Sequence, residues 1–274
     1  MKVRTGDLTT GALFISALSG FVVAYQYEVA TPFVSSVAIE AVLSYGAFWR
    51  SLHFWSSQSF FLLLVYHLVE NLVWLDRAGD NLGKRRHWTV IAITLFLGLF
   101  ALFTGYVLRY DGTGVAACTI AEHLLLTVPL VGSALDRFLM ATSYEGLNRV
   151  YALHILLTVL LWGLGTWYHT KRVLLSQKAL LITLVPLCLF CMLVRAPIDL
   201  PGQNVALIKG PWFFLGVQEL LRYMPPFFAG IIYPIIPLVA LCLLPWLPKA
   251  KHGLWVICAW CLSYGYLTFV ACLR

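Results

Sequence analysis

Seven stretches of the sequence are apolar over roughly the 20 residues that a helix needs to cross a membrane. They cover residues 8–30, 50–74, 88–109, 147–170, 178–195, 226–247 and 253–272, and we label them spans A to G in chain order. Breaks that contain charges, Gly and Pro separate them. The composition agrees, because 61% of the residues are hydrophobic and 11% are charged, whereas a soluble domain is about half apolar and a quarter charged. The sequence predicts an all-α integral membrane protein with seven transmembrane helices.

Two long connections, residues 110–146 and 196–225, leave the membrane on the same side. Each contains an apolar stretch, LLLTVPLVGSALDRFLM in the first and PWFFLGVQELLRYM in the second, that predicts a short helix lying along the interface. No stretch has the small-residue cleavage site of a secretory signal, so we expect span A to be a retained helix.

Basic residues are distributed unevenly between the two sides. The side with the long connections has eight basic and eight acidic residues, and the other side has four acidic and eleven basic ones: Lys2, Arg4, Arg77, Lys84, Arg85, Arg86, Lys171, Arg172, Lys178, Lys249 and Lys251. Because loops rich in Lys and Arg stay in the cytoplasm, we predict a multi-pass protein of the inner (cytoplasmic) membrane. Its N-terminus is cytoplasmic and its C-terminus lies on the outer, periplasmic side. The net charge of +7 is this topology signal and requires no nucleic acid partner.

Four histidines lie inside the apolar spans at matched spacings. His53 and His67 are fourteen residues apart on span B, and His154 and His169 are fifteen apart on span D. On a helix these steps miss whole turns by about −40° and +60°, so each pair lies near one face, with its members about 21–22 Å apart along the axis. Spans B and D run in the same direction, which places His53 at the depth of His154 and His67 at the depth of His169. Two such pairs can hold two bis-histidine hemes.

Other readings of the histidines and cysteines remain open from the residues alone. The four histidines could be hydrogen-bonded core side chains, although ionisable groups in a membrane are costly and usually functional. A zinc site would need three or four ligands at one depth, and the pattern supplies two. Neither C-x-x-C pair, Cys188–Cys191 or Cys258–Cys261, is followed by His. We therefore interpret them as buried thiols and not as c-type heme attachment sites.

Several motifs around these histidines are similar to those of a known family. YGAFWRSLHFWSSQ around His53 and GLNRVYALH before His154, together with the two spacings, resemble cytochrome b of the quinol:cytochrome c oxidoreductases. The fifteen-residue spacing resembles the variant of the chloroplast and cyanobacterial bf complexes. The resemblance implies a four-helix diheme N-terminal domain, spans A–D in residues 1–175, and a three-helix C-terminal domain, spans E–G in residues 176–274.

The resemblance also implies the roles of individual residues. His53 and His154 would bind the outer heme, and His67 and His169 the inner heme, as ligands of the iron. Arg50, three residues before His53, would pair with a heme propionate, unless it is a snorkelling surface arginine. Gly6 and Gly20, which match the family's glycines on span A, are also expected to contact heme. Further expected contacts are Arg149 and Gly105, the latter in TGYVLRYD, which resembles T-G-Y-x-L-P-W-D. Arg85 and Arg86 are interpreted instead as residues that set the topology.

Two further motifs resemble the family's outer quinol site. VPLVGSAL resembles I-P-x-[IV]-G, and KGPWFFLGVQELLRYMP resembles K-P-E-W-Y-F-L. The stretch 128–139 and an aromatic wall would then line the quinone pocket, with expected contacts at Val128, Pro129, Val131, Gly132, Trp212 and Phe213.

The sequence departs from the family at three positions. Pro211 stands where the family has the glutamate of P-E-W-Y, and we expect Glu219 to accept the quinol proton in its place, seven residues and nearly two helical turns after Trp212. Glu219 could instead be a surface residue, in which case Asp111 or Glu122 is the next candidate. Arg109 stands where the family has Pro. Ala12 stands where bf complexes have the Cys that binds a covalent heme, so we expect no covalent heme c on this chain.

These features predict a diheme b-type cytochrome subunit of a membrane quinol-oxidising complex, which passes electrons across the membrane between quinone sites and a redox partner. The cofactors would be two noncovalent hemes b and menaquinone or ubiquinone. The partner would be a c-type cytochrome, single or multiheme, or an iron–sulfur subunit, because this chain has no ligand set for either group and cannot complete the reaction alone. A homodimer is compatible with this assignment. The alternatives are a heme-carrying anchor that links a peripheral dehydrogenase or multiheme cytochrome to quinone at a single site, and a hemeless transporter.

Overall fold

The computed structural model describes residues 3–72, 81–141, 146–171, 176–199 and 208–274. Within these ranges the regular structure is entirely helical, with no strand. The helices are α1 (Thr5–Gln26), α2 (Pro32–Ala41), α3 (Gly46–Leu72), α4 (Leu82–Leu108), α5 (Gly112–Leu126), α6 (Gly132–Leu139), α7 (Gly146–Trp162), α8 (Gln177–Leu193), α9 (Leu215–Leu220), α10 (Tyr233–Leu243) and α11 (Ala250–Leu273). A π-helical segment, Gly163–Thr170, extends α7. A second π-helical segment, Phe227–Ile232, precedes α10, and a 3₁₀ turn, Leu244–Trp246, follows it.

In the part of the chain that the structure describes, five helical stretches are long and apolar enough to cross a membrane: Thr5–Gln26, Leu82–Leu108, Gly146–Thr170, Phe227–Trp246 and Ala250–Leu273. A sixth arises if α2 and α3, which are bent by 110° relative to each other, are taken together. Helix α3 is less apolar than the others because it contains two histidines and several serines. The chain is therefore a multi-pass, all-helical membrane protein, and the helices lie within a few residues of the predicted spans. Helix α8, with 17 residues, is at the lower limit of a span, so the seventh crossing stays a prediction.

Helix α2 was not predicted from the sequence. It begins at Pro32, which is favourable at the first helical position because its missing N–H would have no partner there. A tight turn joins it to α3, with Tyr45 at a φ of 61°. Gly46 is required at this turn, because a Cβ on it would overlap the carbonyl oxygen of Ile39. From the sequence, the segment that forms α2 was assigned to the connection between spans A and B.

The short helices of the two long connections differ from the predicted ones. The first stretch, residues 124–140, is divided between the end of α5 and α6. Pro129 cannot continue a helix, and Leu130 after it has a φ of 67°. In the second stretch, residues 211–224, the α-helical part is limited to Leu215–Leu220. Trp212 therefore precedes α9, so the expected helix that would place Glu219 nearly two turns after Trp212 begins only at Leu215.

The chain divides into two compact units, of which the first comprises Met1–Trp74, Thr94–Gly105 and His154–Ile198. Helix α1 packs against α3 and α8 within this unit. One apolar core joins Ala12, Leu13, Phe60 and Leu161, and a second joins Ile15, Leu52, Leu187 and Cys191. The unit thus gathers parts of spans A, B, C and D, together with span E. The predicted domain boundary near residue 175 stays a prediction.

The second unit comprises Leu75–Ile93, Tyr106–Leu153 and Asp199–Arg274. Two prolines here remove backbone N–H donors and free the carbonyl four residues earlier. Pro245 frees the carbonyl of Leu241, which accepts a hydrogen bond from Trp88 Nε1 at 2.9 Å. Pro237 frees the carbonyl of Tyr233, which accepts one from Trp260 Nε1 at 2.9 Å. In lipid no water can satisfy such a carbonyl, so an indole N–H from a neighbouring helix stabilises each proline-containing turn.

Three of the basic residues used to predict the orientation, Lys2, Arg77 and Arg172, lie outside the described residues. The orientation stays a prediction.

Candidate functional site

The four histidines of the spans form two pairs within the first unit. The ring centroids of His53 and His154 are 6.1 Å apart, with an angle of 84° between the ring planes. The ring centroids of His67 and His169 are also 6.1 Å apart, with an angle of 72°. Each ring of α3 thus faces one ring of the α7 helix and its π-helical extension, as the spacings predicted.

The separation within each pair fits a metal ion between two imidazoles. A ring nitrogen binds a first-row metal ion at about 2 Å, so two rings on opposite sides of one ion have centroids roughly 6 Å apart. Both ring planes then contain the bond axis, and any angle between them is allowed. Among the described residues, no group of three or more His, Cys, Asp or Glu side chains is suited to hold a metal ion. The two imidazoles of each pair are thus separated as two ligands of one metal ion would be, whereas the three or four ligands of a zinc site are not gathered among the described residues.

Three of the four rings lie directly against a glycine. A Cβ on Gly20 would lie 2.7 Å from Cε1 of His53, one on Gly105 would lie 3.0 Å from Cε1 of His154, and one on Gly6 would lie 3.1 Å from Cε1 of His67. Gly6 and Gly20 are fourteen residues apart on α1, which is the spacing of the two histidines on α3. The helices that face His53, His67 and His154 therefore carry no side chain at the level of these three rings. The expected contact of these glycines with heme stays a prediction.

Hydrogen bonds at Nδ1 orient both rings of the outer pair. His53 Nδ1 is 2.9 Å from the carbonyl oxygen of Ser16, and His154 Nδ1 is 2.9 Å from Oγ1 of Thr104. The Thr104 hydroxyl donates to the carbonyl of Phe100 at 3.0 Å, which leaves its oxygen free to accept from His154. With the proton at Nδ1 in both rings, the lone pair of each Nε2 is available to a metal ion. Such partners are typical of histidines that bind metals.

The ring of His67 has a different environment from the rings of the outer pair. His67 Nδ1 is 3.4 Å from Nδ2 of Asn71, and the same amide nitrogen donates to the backbone carbonyl of His67 at 2.6 Å. The contact with the ring is long for a hydrogen bond. The orientation of the His67 ring therefore depends less on this partner than the orientations of His53 and His154 depend on theirs.

The π-helical segment Gly163–Thr170 carries His169. In a regular α-helix, a spacing of fifteen residues would leave His169 about 60° off the face of His154. A π-helical turn holds more residues than an α-helical turn, so the rotation per residue falls and the excess angle is reduced. This wide turn accommodates the extra residue and brings His169 to the same ring separation as the outer pair. This π-helical turn was not predicted from the sequence, although Gly163 and Gly165 lie within it.

Arg50 is buried, and its side chain forms an ion pair and hydrogen bonds with other groups of the protein. Its Nε lies 2.7 Å from Oε2 of Glu40, and its two terminal nitrogens donate to the carbonyls of Ala196 and Pro197. Arg149 is exposed and donates to the carbonyl of Arg137. Whether either arginine contacts a propionate stays a prediction.

The expected quinone contacts belong to the second unit. Gly132 and Phe213 are buried, and Val128, Pro129, Val131 and Trp212 are partly or largely exposed. The rings of Trp212 and Phe213 form an edge-on pair with centroids 5.4 Å apart. The π-helical segment Phe227–Ile232 packs against both α5 and α9. It thus links the helix that leads to residues 128–132 with the helix that follows Trp212 and Phe213.

Glu219 is buried, with 2% of its surface exposed. Its carboxylate lies 3.4 Å from Nε of Arg222 and 3.2 Å from Nη1 of Arg274. It also accepts a hydrogen bond from the hydroxyl of Tyr223 at 2.8 Å. Glu219 is therefore not a solvent-facing surface residue, and charged and polar partners surround it. The sequence analysis did not predict these partners.

The two fallback acids differ in their environments. Asp111 is 1% exposed, pairs with Arg109 at 2.8 Å and accepts from the backbone N–H of Gly114 at the start of α5. It also accepts from the backbone N–H of Asp199 at 3.0 Å. Glu122 is half-buried in α5. Arg109, which departs from the family motif, therefore compensates the charge of the buried Asp111.

Ala12 is completely buried in the core of the first unit. It lies among Leu13, Phe60 and Leu161. The absence of a covalent heme at this position stays a prediction.

Comparisons with known proteins agree with this geometry. Residues 3–170 match the family model described as cytochrome b/b6/petB. A curated relative, "Cytochrome b/c1" of Bradyrhizobium diazoefficiens, is 24% identical and aligns with 96% of this chain and 45% of its own length, so the chain spans about half of that relative. A solved structure, "Hyperthermophilic respiratory Complex III", shares the fold, with a TM-score of 0.64 at 17% identity over 97% of this chain and 91% of the other. Because the family model matches more than half of the residues, including all four paired histidines, the chain belongs to the cytochrome b/b6/petB family.

Proposed function

We propose that this protein is the diheme b-type cytochrome subunit of a membrane quinol-oxidising electron-transfer complex. The observation that carries the proposal is the presence of two histidine pairs with equal ring separations of 6.1 Å, at two levels of the same helices. Heme b supplies the one-electron chemistry when bound, and the protein supplies its position and electrostatics. Two such groups at two depths would carry electrons across the membrane.

The residues of the chain would hold the hemes in defined ways. His53 and His154 would bind the outer heme through Nε2, because their Nδ1 atoms are engaged by Ser16 and Thr104. His67 and His169 would bind the inner heme. The glycines that face these rings, Gly6, Gly20 and Gly105, would leave room for the flat macrocycle beside the helix backbone.

The proposal includes the full topology. The spans would be seven, with α8 as the fifth, and the basic loops would keep the N-terminus in the cytoplasm and the C-terminus outside. Spans A–D would form the diheme domain of residues 1–175, and spans E–G the domain of residues 176–274.

A quinol site on the outer side would involve Val128, Pro129, Val131, Gly132, Trp212 and Phe213, with Glu219 as the proton acceptor. The hydroxyl of Tyr223 donates to Glu219, and the side chain of Tyr223 is otherwise largely exposed. In this scheme the Tyr223 oxygen takes the proton of the quinol hydroxyl and gives its own proton to the carboxylate, as one bridging group does in general base catalysis. The two arginines beside Glu219 would hold the carboxylate in place between turnovers.

The electron acceptor would be another subunit. The names of the relatives, a cytochrome b/c1 and a respiratory Complex III, support a c-type cytochrome or an iron–sulfur protein as the partner. The quinone would be menaquinone or ubiquinone.

The experiment that tests the proposal is heme analysis of the purified protein. We expect two hemes per chain in a pyridine hemochrome assay, all extractable by acidified organic solvent, and a dark band in a heme-stained denaturing gel. His67→Ala should lose the inner heme and retain the outer one, and His252→Ala, in a histidine outside the pairs, should retain both. One heme or none in the unmodified protein would refute the diheme assignment.

A further inference from the structure

A buried ion pair is formed by Arg50, which lies about one helical turn before His53 on α3. Arg50 Nε and Glu40 Oε2 are 2.7 Å apart, and the two side chains are 9% and 14% exposed. The other oxygen of Glu40 lies 3.3 Å from Nη1 of Arg195, whose side chain is 72% exposed. One carboxylate of α2 thus faces one buried and one solvated guanidinium.

Backbone groups of the first unit fix the position of the buried guanidinium. Arg50 donates to the carbonyls of Pro197 and Ala196 through its terminal nitrogens. The neighbouring Ser51 accepts a hydrogen bond from the backbone N–H of Ala196 at 2.9 Å, and Trp55 donates to the carbonyl of Val194 at 3.0 Å. Because α3 and residues 194–197 are joined by all these bonds, the Arg50 charge is held in one place.

The residue that carries this fixed charge lies on the same helix as His53 of the outer histidine pair. Arg50 precedes His53 by three residues on α3, which corresponds to about 4.5 Å along the axis and nearly the same face. A charge buried so near a redox centre acts through a low dielectric. A positive charge stabilises the form that has gained an electron and so raises the reduction potential, and a negative charge lowers it.

We propose that Glu40 sets the redox potential of the outer heme by compensating the charge of Arg50. This inference rests on the proposed function, which assigns the outer heme to His53 and His154. Glu40 is a positioning residue, because it acts through Arg50. Arg195 contributes less, because solvent screens a side chain exposed to that degree. The short helix α2 is the element that brings the carboxylate to this place.

Redox titration of the purified diheme protein, followed by its optical spectrum, tests the proposal. Glu40→Gln removes the negative charge and keeps the shape. We expect the reduced-to-oxidised ratio of the outer heme at a given potential to rise by about tenfold, an upward shift of about 59 mV. The inner heme, which is assigned with the His67→Ala variant, should not shift.

Matched variants separate charge compensation from structural damage. Arg50→Gln should lower the potential of the outer heme, and the Glu40→Gln, Arg50→Gln double variant should return close to the unmodified value, because the pair is then neutral again. Arg195→Gln, which removes the exposed partner, should shift the potential less than either single variant. A purely structural role would not give opposite shifts that cancel.

An unchanged or lowered outer potential in Glu40→Gln, with both hemes present, would overturn the proposal. If Glu40→Gln does not retain the outer heme, Arg50→Gln decides alone, and an unchanged outer potential in that variant would overturn it. Failure of the diheme assignment is a separate result, because it appears as fewer than two hemes in the unmodified protein before any potential is measured.

Discussion

Glycine and histidine are matched residue by residue in the first unit. Gly6 and Gly20 of α1 lie against His67 and His53 of α3, and Gly105 of α4 lies against His154. Because glycine has no Cβ, the helices approach each other at the level of the rings without displacing them. The position of each of these three rings thus requires a glycine in the opposite helix.

Gly20→Ala should disturb the outer pair alone. The added Cβ would lie 2.7 Å from Cε1 of His53, which forces the ring to move. We expect retention of the outer heme to weaken by about tenfold, in the range of other changes that misorient a metal ligand. Heme content after competition with an apo-heme acceptor measures this. Gly265→Ala, at a helical position with open space around it, is the control, and equal heme loss in both variants would contradict the prediction.

Glu219→Gln tests the acid proposed for the quinol site. The substitution keeps a hydrogen-bond acceptor for Tyr223 and removes the basic carboxylate. We expect quinol-driven heme reduction to slow by about a hundredfold, with unchanged heme spectra. Glu28→Gln, at an exposed position, should have no effect. Reduction at the unmodified rate in a folded Glu219→Gln protein would exclude Glu219 as the acceptor and direct attention to Asp111.

At the scale of the elements, prolines and wide turns shape the helices that carry function. The π-helical segment Gly163–Thr170 brings His169 into register with His154. Pro237 and Pro245 free carbonyls that the indoles of Trp260 and Trp88 satisfy. In each case a departure from the regular α-helix is stabilised by a specific neighbour, as lipid-embedded backbone requires.

Trp88→Phe should destabilise the protein because it leaves the carbonyl of Leu241 without its donor. A buried polar group without its partner costs about 1–3 kcal/mol. Thermal unfolding in detergent, compared with Trp255→Phe at an exposed position, measures the loss. Pro245→Ala restores a backbone N–H four residues after Leu241, so in that background Trp88→Phe should cost less. An equal cost in both backgrounds would show that the indole acts through packing alone.

At the scale of the whole molecule, the predicted topology depends on whether α8 crosses the membrane. The five candidate spans of the described residues have 20 to 27 residues and are long and apolar enough to cross a membrane, whereas α8 has 17 residues and contains Pro186. If α8 crosses, every later loop lies on the side given by the positive-inside rule, with Lys249 and Lys251 in the cytoplasm. If it does not cross, α10 and α11 run in the opposite directions.

Reporter fusions distinguish these topologies. A fusion at Lys249 should report a cytoplasmic position, and one at Lys209 a periplasmic position. Fusions at Lys171 and Gly132 are controls, because their expected sides do not depend on α8. A periplasmic signal at Lys249 with correct controls would reduce the number of spans to six.

The sequence by itself determined the helical spans, the four paired histidines and the family, because each follows from hydropathy, from the helical period or from motif spacing along one chain. Only the tertiary structure revealed the ring partners Ser16 and Thr104, the buried pair of Glu40 and Arg50, and the arginines around Glu219. The ring partners are 37 and 50 residues away in sequence, and Glu40 lies on a separate helix from Arg50, so these contacts depend on packing that no local pattern encodes. Helix α2, in a connection between two predicted spans, was likewise not predicted from the sequence. Neither was the π-helical turn at His169, which departs from the regular helical period. The reason is physical. The composition of each segment determines whether it can be buried in lipid, whereas hydrogen bonds and charge pairs depend on which segments pack against each other.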